Sequence, residues 1–129
     1  MYDSLTLFDV AHQMARHAGK HQALVAQNMA NADTPGYRSQ TVEDFRTVYS
    51  APDRFDMRAT RQEHFGNDMR SDNWRTVASK DVGTMSPNGN NVSLETEMLR
   101  SVDAQRQHNR ALAIYSHAMT VLRVSLGRA

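Results

Sequence analysis

The chain has six histidines to offer a metal and no cysteine. Only one histidine pair has a spacing that coordination chemistry can use. His17 and His21, in "ARHAGKHQ", are four apart, and on a helix that sets two imidazoles on one face as ligands to a metal are set. Neither the glutamate of a zinc-peptidase HExxH nor a nearby third ligand accompanies them. The plainer reading is two polar positions on a packing seam, with His108 on the seam of a facing helix; neutral histidines buried at such an interface would loosen it in acid. Glu43 and Asp44 are sequence neighbours and read as a solvated or capping cluster, not as a catalytic acid–base pair. No GxSxG elbow, glycine-rich phosphate loop or EF-hand loop occurs. Asn91-Val92-Ser93 matches a glycosylation sequon, but a helix cap explains the same letters. These residues call for no catalytic group, metal or cofactor, and the expectation is a non-enzyme.

The densest local chemistry is conformational. In "AQNMANADTPGYRSQ", residues 26–40, an alanine-rich helical run meets Asn28, Asn31, Thr34, Pro35, Gly36 and Tyr37. Pro35 lacks an N–H and pushes Thr34 away from helical geometry. Thr34-Pro35-Gly36-Tyr37 suits a type II turn, with glycine taking the positive φ. Asn28 and Asn31 can hydrogen-bond the unpaired carbonyls of the helix end or the turn beyond it.

A stop of this kind implies a helix before it. Leu7, Val10, Met14, His17, His21, Leu24, Asn28 and Asn31 keep a 3,4 spacing, and Phe8, Ala11, Ala15, Ala18, Gln22, Val25, Met29 and Ala32 keep the same beat beside them. At the other end Leu94, Met98, Ser101, Gln105, His108, Leu112, Tyr115, Met119, Leu122 and Leu126 repeat it. Asn91 or Ser93 can cap this last helix, Glu95 and Glu97 suit its positive end, and Arg123 and Arg128 its negative end. Helices over 1–32 and over about 93–127 would be roughly 40 and 50 Å long. A compact chain of this size has a radius of gyration of only about 14 Å. The fold class is therefore mainly α: long terminal helices paired as an elongated coiled-coil hairpin, joined by a loop-rich middle, 33–92, with room for one short β-hairpin. "EDFRTVYSAPDRFD" can hold a helical turn, and "NWRTVAS" and "DVGTM" have strand-like composition.

Composition locates the grease at the ends. Residues 1–32 and 93–129 hold 17 hydrophobic residues each, and the 60 residues between them also hold 17. Much of the terminal stripes would find no cover within the chain, so partner helices are the natural supply. The net charge of +1 offers no field for a phosphate backbone, which argues against nucleic acid. No window approaches the roughly 18 apolar residues of a membrane span. "MYDSLTLFDVAHQ" lacks the basic start and unbroken apolar run of a cleavable signal.

"NMANADTPGYRSQ" strongly resembles the Asn-x-x-Asn-x-x-Thr-Pro-Gly-Tyr signature of bacterial flagellar rod and hook proteins, through Asn28, Asn31, Thr34, Pro35, Gly36 and Tyr37. "RATRQEHF", residues 58–65, looks like a Thr-x-x-x-His segment of the proximal rod members. "NGNNVSLETEM", residues 88–98, resembles their Gly-Asn-x-Val-x-x-Glu-x-Glu-Met entry into the last helix. The sibling rod protein FlgC, the alternative within the family, usually has Pro-Asn-Val before that helix and Tyr-x-x-Asn near its end; here stand Gly-Asn-Asn-Val and "IYSHAM".

The resemblance implies a structural subunit of the proximal rod, or drive shaft, in the basal body. Its terminal helices would form the inner tube and polymerise to carry torque. Leu7, Val10, Met14, Leu24, Val25, Leu94, Met98, Leu112, Tyr115, Met119, Leu122 and Leu126 would be the subunit-packing positions. The implied partners are copies of itself, the rod proteins FlgC, FlgF and FlgG, the adaptor FliE, the flagellar export gate and the MS ring region. The implied location is the periplasmic rod, reached by type III export without a cleavable signal. A secreted helical adaptor that does not polymerise is the alternative from another class.

Overall fold

A computed structural model describes residues 2–49, 74–79 and 85–127, and the side chains of these from residue 6 onward. Helix α1 runs Tyr2–Ala30 and helix α3 runs Leu94–Ser125, about 43 and 48 Å of helix. Between them lie strand β1 (Gln40–Val42), the short helix α2 (Phe45–Tyr49) and strand β2 (Thr76–Ala78). The "RATRQEHF" segment lies outside the described residues, as does most of "DVGTM".

The two long helices pack side by side and antiparallel. Phe8 meets Tyr115 edge-to-face at 5.2 Å, Gln22 donates to Ser101 Oγ at 3.0 Å, and Asn28 reaches Glu97. These three contacts set the register, and it puts Ala11 level with Ala111 and Ala18 level with Ala104. All four alanines are buried, together with Val25, Glu97 and Ala118. Ala11, Ala18 and Val25 are seven apart, and so are Glu97, Ala104, Ala111 and Ala118. A strict seven-residue repeat is the seam of a left-handed coiled coil, and alanine along it lets the axes approach closely.

Each row of α1 thus has its own work. The row Phe8, Ala11, Ala18, Gln22, Val25 faces α3. The row His17, Leu24, Asn28 faces the middle segment, so the expected placing of His17 on the helix–helix seam is corrected: it packs against Phe45 and Trp74. Leu24, Val42 and Trp74 form the apolar core, with Phe45 and Val48 against it.

Helix α3 starts as its sequence asks. Ser93 is extended, at φ −104° and ψ 117°, and its hydroxyl accepts from the Thr96 N–H, satisfying one of the four orphan donors of the first turn. A short antiparallel strand pair lies in the loop-rich middle, as the sequence allows, and its strands are far apart in the chain. β2 lies in "NWRTVAS", but its antiparallel partner is β1, which follows the proline turn: Gln40 pairs with Ala78, Thr41 with Val77 and Val42 with Thr76. Ser79 N–H to Ser39 O and Glu43 N–H to Arg75 O extend the ladder at both ends.

Candidate functional site

Past the end of α1 at Ala30, the carbonyls of the turn that follows need donors from outside the helix. They come from 58 residues away. Asn90, 1% exposed, aims its amide nitrogen at the carbonyls of Asn31, Ala32 and Thr34, at 2.9, 2.7 and 2.9 Å, two hydrogens serving three acceptors. Its own amide oxygen accepts from Val92 N–H at 2.7 Å. The loop ahead of α3 is thereby fastened to the end of α1.

The turn itself closes through Tyr37 N–H to Thr34 O at 3.3 Å, with Gly36 at φ +72°, the region in which glycine alone is unstrained. Asn31 stays on its own helix end: its nitrogen donates to Gln27 O and its oxygen accepts from Thr34 Oγ1. Gly36 N–H donates to Asn88 O and Asn91 N–H to Tyr37 O. Asn91 Oδ1 accepts from Ser39 N–H at 2.7 Å, so the loop before α3 also holds the lead-in to β1.

Asn28 is the hub. It is fully buried, and every hydrogen-bonding site of its amide is used. The nitrogen donates to Gln40 O at 2.7 Å and to Glu97 Oε2 at 3.1 Å; the oxygen accepts from Tyr37 Oη at 3.2 Å and from Gln40 N–H at 3.0 Å. Glu97, 1% exposed, is a buried carboxylate, and it is paired: Arg100 Nη1 lies 2.6 Å from its Oε1. Arg100 Nη2 then donates to Ser79 Oγ. One continuous polar chain therefore runs from the turn through α1 and α3 to the end of β2. Burial raises the pKa of the Tyr37 phenol, and the Glu97 charge pushes it in the same direction.

Of the positions read as packing residues, Leu24 and Val25 are buried, and Val10, Met14, Met119 and Leu122 are half-buried. Leu7, Leu94, Met98, Leu112, Tyr115 and Leu126 are exposed. The row with the largest apolar residues of α3 thus lies beside the alanine seam, with Leu112 one residue and about 100° round from Ala111. Leu99, Val102, Val121 and Val124 add further exposed apolar surface. Sequence reasoning missed Asn90 and read Glu97 only as an acid at the positive end of α3, although both stand in the quoted motif; nothing local says that they reach back to Ala32 and Asn28. Among the described residues no cluster of three or more His, Asp or Glu could hold a metal, and no helix is long and apolar enough to cross a membrane.

The two flagellar-type motifs, Asn28 to Tyr37 and Gly89 to Met98, therefore meet in one hydrogen-bonded joint of a mainly α, helical-hairpin protein. No family model matches the chain. It is 30% identical over 126 residues to the flagellar basal body rod protein FlgB of Agrobacterium fabrum (strain C58 / ATCC 33970), with 93% of each chain covered. The chain belongs to the FlgB family of flagellar basal body rod proteins.

Proposed function

We propose that this protein is a structural subunit of the proximal flagellar rod, polymerising through its terminal helices and carrying torque along them. The observation that supports this best is the outer face of α3. Its inner seam is already filled by alanine, yet Leu94, Met98, Leu112 and Leu126 remain between 48% and 76% exposed. Completing the burial of a half-open leucine stabilises by about 1 kcal/mol, so a row of this length rewards a helix laid along it.

In this reading α1 and α3 form the tube, and the joint fixes the angle at which the middle segment leaves it. Torque applied to the outer segment reaches both helices through hydrogen bonds at Asn28, Asn90 and Arg100. Copies of this chain, the rod proteins FlgC, FlgF and FlgG, the adaptor FliE and the MS ring region would surround it in the periplasmic rod. Passage through the flagellar type III export gate would bring it there without a cleavable signal. Replacing Pro35 and Gly36 together by alanine tests the role of the joint. The double variant should still be secreted but should not build a rod; normal motility would contradict the proposal.

A further inference from the structure

Asn88-Gly89 is the only Asn-Gly pair in the chain, and it stands in the loop that the joint fastens. An asparagine followed by glycine is open to one covalent reaction that needs only water. The glycine N–H gives up its proton to water, and its nitrogen bonds to the asparagine Cγ. The Cγ–Nδ2 bond breaks, and ammonia leaves with a proton from the solvent. Water then opens the resulting succinimide at either carbonyl, giving aspartate or isoaspartate. Glycine favours the first step because it has no Cβ to crowd the attacking nitrogen or restrict the backbone.

The joint holds Asn88 away from this reaction. Gly89 N–H donates to Ser86 O at 2.8 Å, which closes the four-residue turn Ser86-Pro87-Asn88-Gly89. Among the described residues only glycines have positive φ, so the turn is of type I, with proline at its favoured place and Asn88 ψ near about 0°. Closing the succinimide ring requires the Asn88 side chain to eclipse its own peptide C–N bond, which takes ψ far from that value. The nucleophile is occupied by Ser86, and Asn88 Oδ1 is held by Asn90 N–H at 3.0 Å.

The turn is in turn clamped from outside. The Asn88 carbonyl accepts from Gly36 N–H at 3.0 Å, and Asn90 O accepts from Ser86 N–H at 2.9 Å. A Cβ on Gly89 would lie 3.6 Å from Gly36 Cα, so the two glycines bring their turns together backbone to backbone. Asn88 itself is exposed. Water reaches it, and what the closed joint withholds is backbone freedom.

We infer that Asn88 is a deamidation site gated by the joint: the closed joint protects it, an open joint lets the succinimide form, and the isoaspartate product keeps the joint from closing again. In isoaspartate the chain runs through Cβ and Cγ, one atom longer, and the former α-carbonyl becomes a carboxylate. The acceptor for Gly36 N–H is displaced. Asn90, two residues on, loses its aim at the carbonyls of Asn31, Ala32 and Thr34. The reaction thus marks chains whose loop before α3 has come away from the end of α1. It depends on the joint alone and not on the rod reading.

Local opening is fast beside a reaction of this kind, so the rate follows the open fraction. The purified full-length chain is incubated at mildly alkaline pH, folded in buffer or unfolded in guanidinium chloride. Peptide mapping by mass spectrometry counts aspartate and isoaspartate at residue 88, and circular dichroism checks the fold. Product should form in guanidinium chloride and be at least about 30-fold slower in the folded chain. Gly89→Ala in guanidinium chloride should lose most of the product, which identifies the succinimide route. Gly36→Ala keeps its N–H and touches neither reacting atom, but strains the closed joint at φ +72°; when folded it should react about 5–30-fold faster than the natural chain. If Gly36→Ala does not fold, the folded-to-unfolded ratio of the natural chain decides, a large ratio supporting the gate. Equal rates in the folded and unfolded natural chain, a folded Gly36→Ala that reacts no faster, or no product at residue 88 in guanidinium chloride overturns it.

Discussion

Asn28 on α1 donates to Glu97 on α3 across 69 residues of sequence, inside a fully buried contact of 3.1 Å. The same amide also serves Gln40 and Tyr37, so one side chain ties both helices, the turn and β1. Asn28→Ala strands several buried partners at once, among them a carboxylate. The expected loss is about 2–4 kcal/mol, read as a lower midpoint in urea unfolding of the full-length chain.

Gly36→Ala isolates the cost of backbone geometry. Nothing lies within 4 Å of the added Cβ, so the penalty is that of holding alanine at φ +72°, roughly 1–2 kcal/mol. Pro35→Ala should lose less, about 0.4–1 kcal/mol, since it only frees the unfolded chain. Thermal unfolding of the two single variants should keep that order.

The neighbours Ala111 and Leu112 should answer opposite questions. Ala111→Leu forces a larger side chain into the helix seam and should cost about 1–3 kcal/mol in the isolated chain. Leu112→Ala, at a site 52% exposed, should leave the isolated chain within about 0.5 kcal/mol of its starting stability and still reduce motility. Denaturation of the purified variants, set beside swarming assays, separates the two.

That pair also shows what the sequence could and could not disclose. The helix ends, the proline turn and the Ser93 cap are local, and local chemistry names them. Choosing which α3 row meets α1 by apolar size selects Leu94 to Leu126, because leucine reads as core and alanine does not. Close packing centres on the alanine row instead and leaves Leu94, Met98, Leu112 and Leu126 exposed beside it. Asn90 and Glu97 could be quoted as letters of a motif, but their contacts close loops of 58 and 69 residues, and no periodicity records a contact of that kind. β1 was hidden for a similar reason: three residues with a distant partner carry no pattern long enough to read.

Alkali should reach the joint through Tyr37. Burial, aided by the Glu97 charge, raises its phenol above 10.0, so the folded form keeps the proton more tightly than the unfolded one. The stability this contributes is present below pH 10 and is lost as pH rises through the raised value. Ultraviolet titration should show an ionisation step above pH 10.0 that Tyr37→Phe removes.

The central claim is that the outer row of α3 is covered by partner helices in the assembled rod. With no cysteine in the chain, Leu112→Cys introduces a single thiol at the middle of that row. Maleimide labelling should be fast in the purified chain and strongly suppressed in isolated basal bodies. Equal labelling in the two would contradict the claim and favour a helical adaptor that does not polymerise.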